Sequence, residues 1–193
     1  MEKEGRSQGT PLWPWVLVVL VVFGVGGWLV FGRGGPRRIE TETPIFPVDE
    51  EGILSRTAVL SFASADGSRP VTERREVLLE SAEREAIVRR LVEELARGPL
   101  APNARPVLPS ETRVRGVYFD DLGGLYVDLD GASLADWAWG CSSELLAIGG
   151  LVRTLGDSFP EVLRLTLLVD GERAATLKGH VELSHPFEVA AWR

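Results

Sequence analysis

Cysteine and histidine are scarce in this chain of 193 residues, which has one Cys and two His. A single thiol, Cys141, cannot form an internal disulfide, and no second Cys is present for a thiolate zinc cluster. The cysteine content therefore does not distinguish an oxidising compartment from a reducing one. The histidines, His180 and His185, are five residues apart, which in an extended segment places them on opposite faces. They do not predict a shared metal site.

Basic residues are fewer than acidic ones. Lys and Arg number 21 against 28 Asp and Glu, and the formal net charge is −7. Duplex nucleic-acid binders draw much of their affinity from Lys and Arg on phosphates, so the acidic balance argues against a nucleic-acid partner. With 45% hydrophobic and 25% charged residues, the composition excludes a wholly disordered chain and a polytopic membrane protein.

One long apolar run lies near the N-terminus. From Leu12 to Phe31 every residue is apolar, Gly or Pro14, and about 20 residues at about 1.5 Å each cover the roughly 30 Å hydrocarbon core. The run predicts an uncleaved transmembrane helix over residues 12–31, after a tail of residues 1–11 and before a linker of residues 32–56. A cleaved signal peptide is the alternative, but an A-x-A cleavage site is absent. Residues 57–193 remain for one domain.

The charges that flank this run orient it only weakly. Lys3 and Arg6 precede it, and Arg33, Arg37 and Arg38 follow it. The positive-inside rule therefore leans toward a cytoplasmic C-terminal domain. The two sides are close to balanced, however, and large domains translocate largely regardless of such charges. The orientation expected below rests on a family resemblance instead.

Apolar periodicity and turn residues predict two helices and six strands. The first helix is expected from a cap at Ser81 to about Arg97, where Gly98 and Pro99 stop it, and the second covers about residues 142–155. The expected strands are residues 58–64, 74–79, 114–119, 125–129, 163–169 and 174–178, with turns at Asp66-Gly67, Gly123-Gly124 and Asp170-Gly171.

This order of elements predicts an α+β fold, with two helices packed on one face of a mixed or antiparallel sheet. Gly149 and Gly150 lie inside the second helix, where each costs about 1 kcal/mol relative to Ala. The pair therefore indicates close packing of that helix on the sheet. The expected buried stripe of the helix is Leu145, Ile148, Leu151, Val152 and Leu155.

No group of residues stands out as a catalytic site. His180 and Glu182 share a face of an extended segment, but two ligands do not make a metal site. The simpler interpretation is that His180 donates a hydrogen bond near a chain reversal. Cys141 has no evident base and is expected to be an idle or buried thiol. Acidic residues around the second hairpin fail the EF-hand pattern and are expected to form a solvated face. They are Asp120, Asp121, Asp128, Asp130 and Asp136.

Trp137 and Trp139 are the residues expected to contact a partner. In the segment Asp-Trp-Ala-Trp-Gly they share a face if the chain is extended. Exposed Trp residues are typical anchors of protein or sugar recognition. Covering the entry to the second helix is the alternative role. A strand edge that pairs with a partner strand is the other surface considered.

Five ordered blocks of sequence carry a family resemblance. They are residues 125–129 (Leu-Tyr-Val-Asp-Leu), 140–145 (Gly-Cys-Ser-Ser-Glu-Leu), 151–155 (Leu-Val-Arg-Thr-Leu), 168–172 (Leu-Val-Asp-Gly-Glu) and 179–186 (Gly-His-Val-Glu-Leu-Ser-His-Pro). With these blocks the chain resembles the GerMN domain family, of the sporulation and spore-germination type, over about residues 58–187.

The resemblance implies an envelope protein, anchored or lipidated at its N-terminus, with a small α/β domain akin to the ring-building motifs of secretion and sporulation assemblies. It implies no catalytic residues, and neither a metal nor a cofactor is expected. Where such domains commonly carry Ser, this chain has Cys141, so Ser142 is expected to supply the helix cap. Glu144 is expected to reach back to the helix N-terminus, as in a capping box.

Together these observations predict a single-pass membrane protein that is not an enzyme. Its domain, residues 57–193, is expected on the extracytoplasmic side, in the periplasm or on the cell-wall side. There it would bind an envelope protein in an assembly related to sporulation or germination, and self-association into a homo-oligomer is left open. A peptidoglycan-binding module or cell-wall hydrolase accessory is the alternative, and a cytoplasmic anchored domain is a third possibility.

Overall fold

The structure is a computed structural model, and it describes residues 54–135, 137 and 140–193. The predicted tail, the predicted membrane span and almost all of the predicted linker lie outside the described residues, as do Asp136 and Trp139. Among the residues that are described, no helix is long and apolar enough to cross a bilayer.

The described part contains seven strands, two α-helices and two short 3-10 helices. In chain order the strands and α-helices are β1 (Leu54–Ser64), β2 (Pro70–Leu79), α1 (Arg84–Arg97), β3 (Ala104–Arg105), β4 (Val114–Phe119), β5 (Gly124–Leu129), α2 (Cys141–Ser158), β6 (Arg164–Val169) and β7 (Phe187–Glu188). The 3-10 helices are Gly131–Leu134 and Val189–Ala191.

β1 and β2 form the first hairpin, as the Asp66-Gly67 pair predicts. Gly67 has a φ of 70°, in the left-handed region that glycine adopts without strain, and this lets the chain reverse. The antiparallel register runs from Leu54 opposite Leu79 to Ala63 opposite Pro70. The two residues of β3 pair with the end of β1, so the first sheet has the order β2-β1-β3.

The second sheet has the order β4-β5-β6-β7. β5 is antiparallel to β4 and parallel to β6, and α2 is the crossover that the parallel pair requires. The expected α+β class and the mixed pairing of strands are therefore confirmed. The strands divide between two sheets rather than forming a single one.

α1 begins two residues later than predicted, at Arg84, with Glu83 in the capping position. Ser81 does not cap it, because the Ser81 hydroxyl accepts a hydrogen bond from the N–H of Glu83 at 3.1 Å, in the turn before the helix. The predicted end is confirmed, since Gly98 follows the helix with a φ of 85°. The buried face of the helix includes Ile87, Val88, Leu91, Val92 and Leu95.

α2 lies along the edge of β1 that β3 leaves uncovered. The Thr154 hydroxyl accepts a hydrogen bond from the N–H of Ser61 at 3.0 Å. A Cβ on Gly150 would lie 2.9 Å from the carbonyl oxygen of Ser61, so only glycine permits this approach. Close packing of the helix on a sheet is thus confirmed. The expected burial of Leu145 is wrong, because this side chain is 47% exposed and Glu144 is buried instead.

The last predicted strand, residues 174–178, is also wrong. The turn at Asp170-Gly171 forms as predicted, with φ of 55° and 83°, and closes onto Glu172. Beyond it the chain makes only isolated bridges, and its next strand is the short β7. The segment does not continue as a strand because backbone N–H groups within residues 177–180 turn toward α2.

Candidate partner-binding groove

A groove of about 770 Å³ lies at the β3 edge of the first sheet. Its walls are the β1–β2 turn, the start of the loop that follows β3, and the first turn of α2. Trp137 lies on the groove and is half-buried there. The other lining residues are Ala63, Asp66, Gly67, Arg105, Pro106, Val107, Gly140, Cys141, Ser142, Ser143 and Leu146.

Hydrogen bonds to one carboxylate hold the β1–β2 wall of the groove. Asp66 accepts hydrogen bonds from the Ser64 hydroxyl at 2.5 Å and from the Ser68 hydroxyl at 2.8 Å. It also accepts one from the N–H of Ser68 at 3.1 Å. The hydrogen bond from Ser64 has the largest effect, and together these bonds lower the pKa of Asp66 to about 2. The groove therefore carries a fixed negative charge at neutral pH.

The opposite charge comes from Arg105 at the end of β3. Arg105 is exposed, and its guanidinium makes no hydrogen bond or ion pair with another residue of the described ranges. A Cβ on Gly67 would lie 3.9 Å from its guanidinium, so the side chain extends beside the β1–β2 turn. The groove thus presents one carboxylate and one guanidinium beside an indole ring.

The helix wall of the groove is capped differently from the prediction. Ser143, not Ser142, closes the first turn of α2. Its hydroxyl accepts a hydrogen bond from the N–H of Gly140 at 2.6 Å and donates one to the carbonyl of Gly140 at 2.9 Å. Cys141 is the first residue of the helix, and its thiol is free and exposed. Of the two candidate contact residues the structure places Trp137 on this groove, while Trp139 lies outside the described residues.

Glu144 does not reach back to the start of α2, contrary to the prediction. Its fully buried carboxylate accepts hydrogen bonds from the N–H groups of Leu177 at 2.9 Å, Lys178 at 3.2 Å and His180 at 3.0 Å. The His180 ring nitrogen Nδ1 lies 3.0 Å from the same carboxylate. Glu144 therefore anchors the segment that connects β6 to β7.

The ionised form of Glu144 is the one that these contacts favour. Burial by itself raises the pKa of a carboxyl group, but the backbone donors of residues 178, 180 and 181 and the ring of His180 outweigh burial and lower the pKa of Glu144. Since an ionised carboxylate only accepts, Nδ1 of His180 is the donor. The expected role of His180, a hydrogen bond near a chain reversal, is confirmed. Its partner is Glu144.

Glu182 lies instead beside His185, whose Nδ1 is 3.6 Å from its carboxylate, and both side chains are exposed. No cluster of three or more His, Cys, Asp or Glu side chains that could hold a metal ion occurs in the described part of the chain.

The acidic residues around the second hairpin do not form a purely solvated face. Asp120 accepts hydrogen bonds from the N–H groups of Leu122 at 2.8 Å and Gly124 at 2.7 Å, and these bonds lower its pKa. Asp128 is buried and accepts one from the N–H of Gly171 at 2.8 Å. Asp130 caps the 3-10 helix that follows β5. These carboxylates hold turns, which corrects the prediction.

Comparison with known proteins agrees with this architecture. The sequence matches the Germane family, described as sporulation and spore germination, over residues 59–175, which is more than half of the chain. The chain belongs to this family. No curated protein matches it.

Two solved structures share the fold. The first GerMN domain of the sporulation protein GerM from Bacillus subtilis is 16% identical, with a TM-score of 0.54, and the match covers 69% of this chain and 97% of that one. The tandem GerMN domains of the same protein are 18% identical, with a TM-score of 0.58, over 69% of this chain and 46% of that one. The chain thus spans about half the length of the tandem structure.

Proposed function

We propose that this protein is a membrane-anchored envelope protein whose Germane domain binds another envelope protein and helps to build a sporulation or germination assembly. The domain acts by recognition and not by catalysis. The groove beside Trp137 is the observation that carries the proposal, because it combines concavity, an aromatic side chain and two opposite charges on a family of domains described as sporulation and spore germination.

The shape of the groove favours binding through side chains rather than by strand addition. The adjoining edge strand, β3, has only two residues. Pro106 follows it directly and has no N–H to donate to an added strand. A partner segment would therefore place an apolar side chain against Trp137, with its polar groups between Asp66 and Arg105. Trp139, two residues on, is proposed as a second contact.

The proposed anchor is the apolar run of residues 12–31, with residues 32–56 as the spacer. The domain is proposed to lie on the extracytoplasmic side, and this orientation rests on the family resemblance rather than on the charges that flank the run. Cys141, the only thiol in the chain and an exposed one, offers a direct test of orientation. We expect a membrane-impermeant maleimide to label Cys141 in intact cells. Labelling only after permeabilisation would place the domain in the cytoplasm and contradict this part of the proposal.

Cys141 also lies on the groove and can report on the partner. A photoreactive crosslinker attached to its thiol should capture one protein in cells that express the full chain. The capture should be lost when Trp137 and Trp139 are both changed to Ala, because the aromatic anchors are removed. The control carries the same crosslinker on Leu122→Cys in a Cys141→Ser background, since Leu122 is 74% exposed on the turn between β4 and β5 and does not line the groove.

Equal capture from both positions, or capture that the two Trp substitutions do not change, would mean that the groove is not the binding surface.

Sedimentation with purified peptidoglycan separates the alternative functions. Binding that depends on Trp137 and releases no fragments would favour a peptidoglycan-binding module, and release of fragments would favour a hydrolase. Neither result is expected if the ligand is a protein.

A further inference from the structure

The outer edge of β2 has no strand beside it in the described part of the protein. Ser64 donates its N–H to the carbonyl of Arg69 at 2.8 Å, which fixes the alternation of the hairpin ladder. The odd-numbered residues of β2 therefore bond to β1, and the even-numbered ones direct their backbone groups outward. The residues with outward N–H and C=O groups are Thr72, Arg74, Glu76 and Leu78.

The side chains of these four residues are exposed as well. Arg74 makes no hydrogen bond or ion pair with any other described residue, and Glu76 accepts one hydrogen bond, from the Ser55 hydroxyl at 2.8 Å. An open edge of this length usually carries charges that discourage pairing with other chains. Here the two charges are of opposite sign and lie two residues apart. They therefore discriminate between pairings instead of blocking all of them.

Only one antiparallel register of this edge with a copy of itself matches the charges. Directly opposite residues on paired strands have Cβ atoms about 5 Å apart, so opposite charges there stabilise the pair and like charges destabilise it. A pairing centred on Arg75 sets Arg74 opposite Glu76 twice and Thr72 opposite Leu78 twice. Moving the centre by one residue either way sets Arg74 opposite Arg74, or Glu76 opposite Glu76.

We propose that two copies of this chain associate through the outer edges of β2, antiparallel and centred on Arg75, with Arg74 of each copy opposite Glu76 of the other. The first sheets of the two copies then join into one sheet of six strands. The contact is two-fold symmetric and closes on itself, so it makes a dimer and not a filament.

The side chains on the opposite face of β2, where Arg75 lies, are compatible with this pairing. The two-fold axis passes between the two Arg75 residues, which are like charges. Each guanidinium is already bound within its own chain, however, at 2.6 Å from Glu73 and 2.9 Å from Glu94. It also donates to the carbonyl of Gly98 at 2.9 Å, which draws it toward the end of α1. Arg75 therefore enters the interface as a neutralised group.

The dimer contact does not depend on the function proposed above. β2 and β3 are opposite edges of the first sheet, so the groove beside Trp137 lies on the far side from the proposed contact. Loss of one interaction leaves the other intact, and the two proposals can fail separately.

Charge exchange on β2 tests the register. The full chain is purified in detergent with a reductant, so that Cys141 cannot link two copies, and its mass is followed against concentration by sedimentation equilibrium. We expect a monomer–dimer equilibrium. Arg74→Glu and Glu76→Arg should each raise the dissociation constant about tenfold or more, because two opposite-charge pairs become like-charge pairs. Combining the two substitutions should restore the dimer, since the charges at positions 74 and 76 are then exchanged and each again faces its opposite.

The control exchanges charges elsewhere, with Arg113→Glu and Glu111→Arg at two exposed side chains before β4. These should leave the dissociation constant unchanged. Thr72→Pro adds a test of the backbone, because it removes an outward N–H without breaking a bond to β1, and it should abolish the dimer. A chain that stays monomeric at every concentration overturns the proposal. So does a dimer that the single reversals leave intact, or one that the combined exchange fails to restore.

Discussion

Replacing Glu144 by Gln tests whether one buried carboxylate holds the segment between β6 and β7. The carboxylate accepts hydrogen bonds from the N–H groups of Leu177, Lys178 and His180 and from the His180 ring. Gln has nearly the same shape but only one acceptor oxygen. In Glu144 each carboxylate oxygen accepts from two donors, either the N–H groups of Leu177 and Lys178 or the N–H and ring of His180. In the Gln variant the NH₂ group replaces one of these oxygens and faces its two donors. Hydrogen bonds to charged groups contribute about 1.5–3 kcal/mol each, and a buried donor left unsatisfied costs a similar amount.

The loss of two such bonds would give about 3–6 kcal/mol if the segment stayed in place. The segment can instead leave α2 and let water solvate the donors, so the observed cost is limited to the free energy of that release. We expect Glu144→Gln to lower the free energy of unfolding by about 3 kcal/mol, which is a large part of the roughly 5–15 kcal/mol typical of a domain.

Two measurements check this expectation at neutral pH. Chemical denaturation gives the free energy of unfolding, and hydrogen exchange reports on the amides of Leu177, Lys178 and His180, which should lose protection before the amides of the sheets do. The control is Glu93→Gln on the exposed face of α1, where an ion pair with Arg90 contributes little. If Glu144→Gln lies within about 0.5 kcal/mol of the control and the three amides stay protected, the carboxylate does not anchor the segment.

The pH dependence of the same variant has a definite sign. Because the folded-state pKa of Glu144 lies below its unfolded value, its contribution to stability is fully present above the unfolded pKa of about 4.3. It is lost as the pH falls through the folded-state pKa. The difference in stability between the natural chain and Glu144→Gln should therefore be present at neutral pH and shrink once the pH falls below the unfolded pKa. A difference that stays undiminished well below a pH of about 4 would contradict the assignment of an ionised carboxylate.

Two smaller changes test the packing and the groove wall. Gly150→Ala should lower the free energy of unfolding by about 1–3 kcal/mol, since the added Cβ would lie 2.9 Å from both the Ser61 carbonyl oxygen and a methyl of Val107; an unchanged denaturation midpoint would mean that α2 does not lie this close to β1. Ser64→Ala should raise the pKa of Asp66 from about 2 toward the ordinary carboxyl range, because the largest of the interactions that lower it is removed. Carbon-detected NMR titration of the Asp66 carboxyl measures this pKa, and an unchanged value would show that Ser64 does not hold the turn.

Local features of this fold could be predicted from the sequence because their causes are local. The turns at Asp66-Gly67 and Asp170-Gly171 follow from residues that tolerate positive φ, and the φ values agree. Gly98 ends α1 for the same reason. Close packing at Gly150 could also be predicted, since a glycine in a helix interior is destabilising unless another backbone approaches it.

The features that were missed depend on contacts between distant parts of the chain. Helical spacing alone does not decide whether Leu145 or its neighbour Glu144 faces the core. The answer comes from backbone donors more than 30 positions away, at Leu177 and His180. The same contact explains why residues 174–178 do not form a strand. The division of the strands between two sheets depends likewise on the way α2 lies along β1, which no periodicity encodes.

The site was predicted only in part. Trp137 was singled out by residue type and lies on the groove. Asp66 and Arg105, which give the groove its charges, were not, because they come from a turn and a strand that the fold brings beside the first turn of α2. A serine two residues to each side of Asp66, at positions 64 and 68, was the available indication of a rigid turn, since both hydroxyls bind its carboxylate.

The positions of the two proposed surfaces have a consequence for assembly. If the first sheets join through β2, the two grooves lie at the opposite ends of one six-stranded sheet, each beside its own β3. One dimer would then carry two N-terminal anchors. Two copies of a partner in the same membrane could bind its two grooves at the same time. Bivalent attachment of this kind raises the apparent affinity without any new contact, as long as the spacing of the partner sites matches that of the grooves. A groove that binds each partner site only weakly would then suffice.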